Sequence, residues 1–131
     1  MDPIEFLTDD DVFEIHADQL QRYGGRAGVI DNNAVLSAAG SAQAQMFGQY
    51  LNEDIAEMAA AYLFGFAASQ GFVDGNKRTG AACATEFLER NGYQLNCNWE
   101  ELYDITMDVA NKKKDKQQVA DWIAAHLEPI P

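Results

Sequence analysis

At 131 residues, 47% hydrophobic and 23% charged, the chain has the size and balance of one globular domain with its own core. Twenty-one acids against nine bases give a net charge of −12, a surface that repels DNA and RNA, whose binding rests mostly on neutralised phosphates. Two cysteines without C-x-x-C spacing make neither a zinc site nor a disulfide framework, no apolar run reaches membrane-spanning length, and the first eleven residues carry four Asp and one Glu, unlike a signal peptide, so a single cytoplasmic domain over 1–131 without nucleic-acid or membrane partners is expected.

Thr8 predicts a helix N-cap, with Asp9, Asp10 and Asp11 in the first turn, where carboxylates suit the helix dipole. Val12, Ile15 and Leu20 form an apolar stripe up to Tyr23, and Gly24-Gly25 stops it. Arg26–Asn33 contains Gly28 and Asp31-Asn32-Asn33 and reads as a loop or short hairpin. A small-residue helix is expected over Ala34–Ala44, ending loosely near Gly48.

Asn52–Ser69 predicts a stronger helix, with Ile55, Met58, Ala59, Tyr62, Leu63 and Phe66 on a wide apolar face. After the turn Gln70–Gly75, the next helix spans Asn76–Asn91, with Phe87 and Leu88 inward and Gly92 as the stop. Tyr93–Cys97 reads as a short extended link. Asn98 and Glu101 have capping-box spacing before a helix carrying Trp99, Leu102, Ile105 and Val109 to about Asn111. Asp115 caps a last helix bearing Val119, Trp122, Ile123 and Leu127, ended by Pro129 and Pro131. The run Lys112-Lys113-Lys114-Asp115-Lys116 reads as a solvated helix junction, and Trp99 and Trp122 as core or groove lining. Period-two alternation is almost absent, so the expected fold is all-α: a compact bundle of about six helices with at most one short β-hairpin flap, near 26–33.

Chemistry concentrates in Gln70–Arg78, Gln-Gly-Phe-Val-Asp-Gly-Asn-Lys-Arg. A tight turn opening a helix presents free backbone N–H groups and the positive end of the dipole. Gly75 lets a ligand approach the backbone closely. Lys77 adds a mobile point charge and Arg78 a planar fork suited to phosphate oxygens. Asp74 beside them repels anions, unless it holds Mg²⁺ that bridges phosphates. The bland alternative is a solvated loop in which Asp74 pairs with Lys77 or Arg78.

This pattern resembles the Doc branch of the Fic/Doc superfamily, the "death on curing" toxins, whose motif reads His-x-Phe-x-(Asp/Asn)-(Gly/Ala)-Asn-Lys-Arg. Phe72, Asp74, Gly75, Asn76, Lys77 and Arg78 match it. His16…Arg22-Tyr23-Gly24-Gly25, the Gly28…Asp31 loop, Ala59–Leu63 and Phe87-Leu88…Asn91-Gly92 follow in the same order, so the likeness spans roughly 6–127.

The resemblance implies a helical bundle whose central helix pair flanks the motif loop. It implies transfer of a phosphate-bearing group from ATP or another nucleoside triphosphate to a protein hydroxyl. Relatives with Asn-Lys-Arg phosphorylate elongation factor Tu. AMP-transferring Fic relatives carry Gly where Lys77 stands and a second Arg where Ala81 stands, so the kinase reading is preferred. Asp74 would hold Mg²⁺, Asn76 with Gly75 and the adjoining backbone would cradle the anion, and Lys77 and Arg78 would neutralise charge on the transferred group. Some Doc toxins carry Arg where Ala68 stands here.

The family's general-base histidine is replaced by Gln70, which cannot accept a proton near neutral pH. Loss of such a base typically costs on the order of 10²–10⁴ in rate. The chain is then a deliberately disarmed toxin, an inactive relative that still binds nucleotide or antitoxin, or a slow enzyme. His16 is expected to be packed or hydrogen-bonded near the loop after Gly25, and His126 to serve the end of the last helix; neither takes over the catalytic role. No Glu is followed by Gly or Asn, so the inhibitory helix of Fic proteins is missing. The inhibitor is expected to be a separate Phd-type antitoxin whose C-terminal segment folds into a groove.

Overall fold

The computed structural model describes residues 3–131. Helix α1 spans Asp9–Tyr23 behind Thr8, whose hydroxyl accepts the Asp11 N–H while the Asp11 carboxylate accepts the Thr8 N–H. Helix α2 spans Asn32–Gly40, followed by a 3₁₀ turn over Ser41–Gln43. Helices α3 (Ile55–Ala67), α4 (Asn76–Arg90), α5 (Trp99–Ala110) and α6 (Lys116–His126) complete the expected set of six. Capping boxes at Asn98/Glu101 and Asp115/Gln118 fix where α5 and α6 begin. No helix among the described residues is long and apolar enough to cross a membrane.

Helix α3 is the axis of the bundle: Ala56, Met58 through Leu63, Phe66 and Ala67 are all buried, which uses nearly its whole circumference. Its alanines let neighbours approach closely. A Cβ at Gly80 of α4 would stand 2.8 Å from the Leu63 carbonyl oxygen, so α4 packs on α3 with almost no space between backbones. Tyr62 is wholly buried, its hydroxyl accepting the Leu7 N–H, and burial pushes its pKa up to about 12. Arg90 ties α4 to the start of α1, bonding Asp11 at 2.9 Å and Glu86 at 3.0 Å.

Of the two alternatives over 26–33, a loop or a short hairpin, the structure has the loop. Asp31 accepts the Ala34 N–H and starts α2 at Asn32, which takes up the residues a returning strand would need. The segment pairs instead with the motif loop: Val29 bridges Phe72, the Gly28 carbonyl accepts the Val73 N–H, and the Gly71 carbonyl accepts the Ile30 and Asp31 N–H groups. Two other antiparallel pairs are present. Strands β1 (Gln45–Met46) and β2 (Gln49–Tyr50) close over Phe47-Gly48, both at positive φ. Strand β3 (Tyr93–Leu95) pairs with β4 (Leu127–Pro129), so the chain leaves α6 at His126 and continues as a strand, before the prolines expected to end it.

Candidate functional site

The segment between α3 and α4 is clamped from three directions. Phe72 is fully buried and the backbone on both sides of it is fixed. Asn76 turns its side chain back over the loop, accepting the Phe72 N–H at 3.0 Å and donating to the Phe72 carbonyl at 2.9 Å. From the flap side, Val73 N–H bonds the Gly28 carbonyl, while Ile30 and Asp31 N–H groups bond the Gly71 carbonyl. From α1, the imidazole of His16 stacks on the Phe72 ring at 3.6 Å and its Nε2 lies 2.8 Å from the Asp74 carbonyl oxygen.

Gly75 is the N-cap of α4, with φ +82° and no side chain capping the helix. The first turn therefore offers the N–H groups of Asn76, Lys77 and Arg78 without a side-chain acceptor, at the positive end of the dipole. This is an anion-binding arrangement by general chemistry. The Asn76 side chain is committed to Phe72, so what it leaves for a ligand is its backbone N–H.

Asp74 makes no ion pair with Lys77 or Arg78 among the described residues; its Oδ2 accepts the Arg26 N–H at 2.8 Å. Oδ1 remains for a cation. Among the described residues no cluster of three His, Cys, Asp or Glu side chains stands ready for a metal. One carboxylate is nonetheless what Mg²⁺ needs when phosphates and water fill its other positions, so the donor set fits a metal that arrives with a polyphosphate. Arg78 lies over the Tyr23 ring, 5.7 Å from its centre, and donates to the Gly24 carbonyl at 2.8 Å. Lys77 is exposed.

Two depressions meet at this turn. A cleft of about 630 Å³ is lined by Gln70, Asp74, Gly75, Asn76 and Lys77 together with the end of α5. A wider groove of about 910 Å³ runs between α1, α4 and α5, with Ile15, Tyr23, Ala81, Trp99, Leu102 and Met107 among its walls. The six candidate site residues thus converge, Gln70 on the cleft, Arg78 on the groove, and Asp74, Gly75, Asn76 and Lys77 on both, while Phe72 of the motif lies in the core beneath them. No histidine lines either depression. His126 lines neither of them, bonding the Trp122 carbonyl and facing Glu101 at 3.7 Å.

Sequence reasoning missed how the loop is held. His16 was expected to be packed or hydrogen-bonded near the loop after Gly25, and it is both, buried against Phe72 and bonded to the Asp74 carbonyl, beside Arg26; its stacking on Phe72 was not foreseen. The backbone contact from Arg26 and the Val29 bridge had no signal of their own. An Asn four residues after Phe72, at a helix start, was the one available hint of the Asn76 brace.

The turn joining the central helix pair carries the residues on which the resemblance to the Fic/Doc family rests, and comparison with known proteins bears that resemblance out. Residues 6–88 match the family model described as the Fic/DOC family. The chain is 32% identical over 117 residues to the "Protein kinase doc" of Escherichia phage P1, covering 89% of this chain and 91% of the phage protein. It is 34% identical over 105 residues to the "Toxin Doc" of Mycolicibacterium smegmatis (strain ATCC 700084 / mc(2)155), covering 80% and 79% of the two chains. The chain belongs to the Fic/Doc family.

Proposed function

We propose that the chain is a Doc-type toxin of a toxin–antitoxin pair, acting in the cytoplasm, which transfers phosphate from ATP or another nucleoside triphosphate to a hydroxyl of elongation factor Tu, at a rate reduced by Gln70. The observation that carries this reading is the start of α4, uncapped by any side chain, where Gly75, Asn76 and Lys77 border the cleft together with Asp74, and Arg78 borders the adjoining groove. The names of the phage and mycobacterial relatives point the same way.

In this reading the α4 N–H groups hold the phosphate to be transferred, and Lys77 neutralises its developing charge. Arg78 joins by leaving the Gly24 carbonyl, a neutral partner that an anion outcompetes. Bound Mg²⁺, held by the free oxygen of Asp74, would supply charge neutralisation between phosphates. Gln70 lies on the rim of the cleft, where it can hydrogen-bond the target hydroxyl and orient it, but the proton must leave without a basic side chain. The groove between α1, α4 and α5 is the place we assign to a segment of a separate, Phd-type antitoxin.

The test is Gln70→His. Expression of the variant is expected to arrest growth, and the purified variant to pass labelled phosphate from ATP to elongation factor Tu. No arrest and no label would refute the reading. A non-catalytic binding module is the second reading, favoured by Gln70 itself; it predicts binding of Mg²⁺–ATP or antitoxin peptide without turnover even after His is restored. AMP transfer, disfavoured by Lys77 and Ala81, would appear in the mass of the modified target.

A further inference from the structure

Four of the nine bases have a structural occupation. Arg22 and Arg90 are held by carboxylates, Arg78 by the Gly24 carbonyl, and Lys116 donates to Asn52. Lys77 and Lys112 differ. Both line the 630 Å³ cleft, and neither makes an ion pair among the described residues. They come from unrelated elements, Lys77 from the first turn of α4 and Lys112 from the residue after Asn111, the C-cap of α5. Asp74 is the one carboxylate in the lining.

In a chain of net charge −12, two cations on one cleft beside a helix N-terminus reverse the sign of the surface locally. Like charges sharing a concavity repel each other, and an anion between them relieves that repulsion. We propose that Lys112 is a second phosphate-binding cation of the nucleotide site, holding the polyphosphate from the α5 wall of the cleft while Lys77 holds it from α4. The inference rests on the nucleotide reading above. It also divides the lysine run: Lys113 and Lys114 do not line the cleft.

The backbone makes the test clean. Lys112 has φ +61° just past a helix end, the position where glycine is favoured. Lys112→Gly therefore removes the charge and relaxes the backbone together, and a merely structural lysine predicts no loss from it. Calorimetric titration with Mg²⁺–ATP and with inorganic tripolyphosphate would be run on the parent chain, K112G, Lys112→Gln and Lys113→Gln, at two salt concentrations. K112G is expected to melt at or above the parent temperature yet bind both probes about ten-fold more weakly, the loss of one charge-assisted contact. Its affinity is expected to depend less on salt. Lys112→Gln should show the same weakening, which keeps the test sound if K112G folds poorly, and Lys113→Gln should bind like the parent. Equal affinity of the parent and both Lys112 variants overturns the role of Lys112 and leaves the nucleotide reading standing. An equal loss in Lys113→Gln overturns it as well, as a general effect of charge. A parent chain that binds neither probe overturns both.

Discussion

The Nε2 of His16 and the carbonyl oxygen of Asp74 lie 2.8 Å apart, 58 residues apart in sequence, while the same imidazole stacks on Phe72. A carbonyl only accepts, so Nε2 carries the proton and the ring is a donor fixed by its stacking. His16 thus holds the motif loop at two points, supporting Phe72 from its face and Asp74 from its backbone. That position removes it from proton transfer at the cleft and makes it a brace.

His16→Ala should destabilise the fold by about 2–4 kcal/mol in urea unfolding, since it empties a buried aromatic site and frees a backbone carbonyl. His16→Gln, which keeps a donor of similar reach, should recover part of that loss. Both variants are expected to weaken Mg²⁺–ATP binding, because the loop that presents the α4 N–H groups loosens. Full stability in His16→Ala would mean that Asn76 and the flap hold the loop unaided.

Gly80 sets how closely the central helices pack. Alanine there would ordinarily gain about 1 kcal/mol of helix propensity. Here its Cβ would meet the Leu63 carbonyl at 2.8 Å and Phe66 Cβ at 3.3 Å. Backbone cannot swing aside as a flexible side chain can, so α3 and α4 must part. Gly80→Ala is expected to cost about 1–3 kcal/mol net and lower the melting temperature; a rise would show that the pair has slack.

Asp11 carries a pH signature. The Thr8 N–H it accepts at the cap, together with Arg90, holds its carboxyl below the ordinary 3.8. A depressed folded pKa favours the ionised form in the native state. Its contribution is therefore complete above the unfolded value and is lost as pH falls through the lower folded one. Asp11→Asn should be about 1 kcal/mol less stable than the parent at neutral pH, with the gap closing in acid below the ordinary carboxylate value. Urea unfolding over a pH series measures it, and a gap independent of pH would contradict the assignment.

Burial pushes the Cys83 thiol up to about 12, and Cys97 is also raised, chiefly by its smaller burial. Thiolate is the reactive form, so a disulfide reagent at about pH 8 should label Cys97 slowly and Cys83 only when the chain opens. Fast labelling of both in the folded protein would show that α4 is not packed as described.

The six helices were legible because their signals are local. Thr8, Asn98 and Asp115 lie within a turn of the N–H groups they cap, and the stripe from Ile55 to Phe66 repeats along one segment. The motif was legible for the same reason: Asp74 through Arg78 are consecutive, so any helix opening at Asn76 gathers them. What the flap pairs with was not legible, because its partner is the motif loop, more than forty residues away, and period-two alternation cannot mark a single bridge such as Val29 to Phe72. The strand at Leu127–Pro129 was missed for a like reason, since only its pairing with Tyr93–Leu95 makes it extended.

By itself the sequence determined the all-α class, the caps and the glycine-opened turn with glutamine at position 70, all properties of neighbouring residues. Tertiary structure alone decided that Asn76 faces inward, that His16 braces Asp74, and that one lysine of a bland-looking run borders the cleft. Those outcomes depend on which distant backbones come to rest within 3–4 Å of each other, and close packing of the whole bundle fixes that.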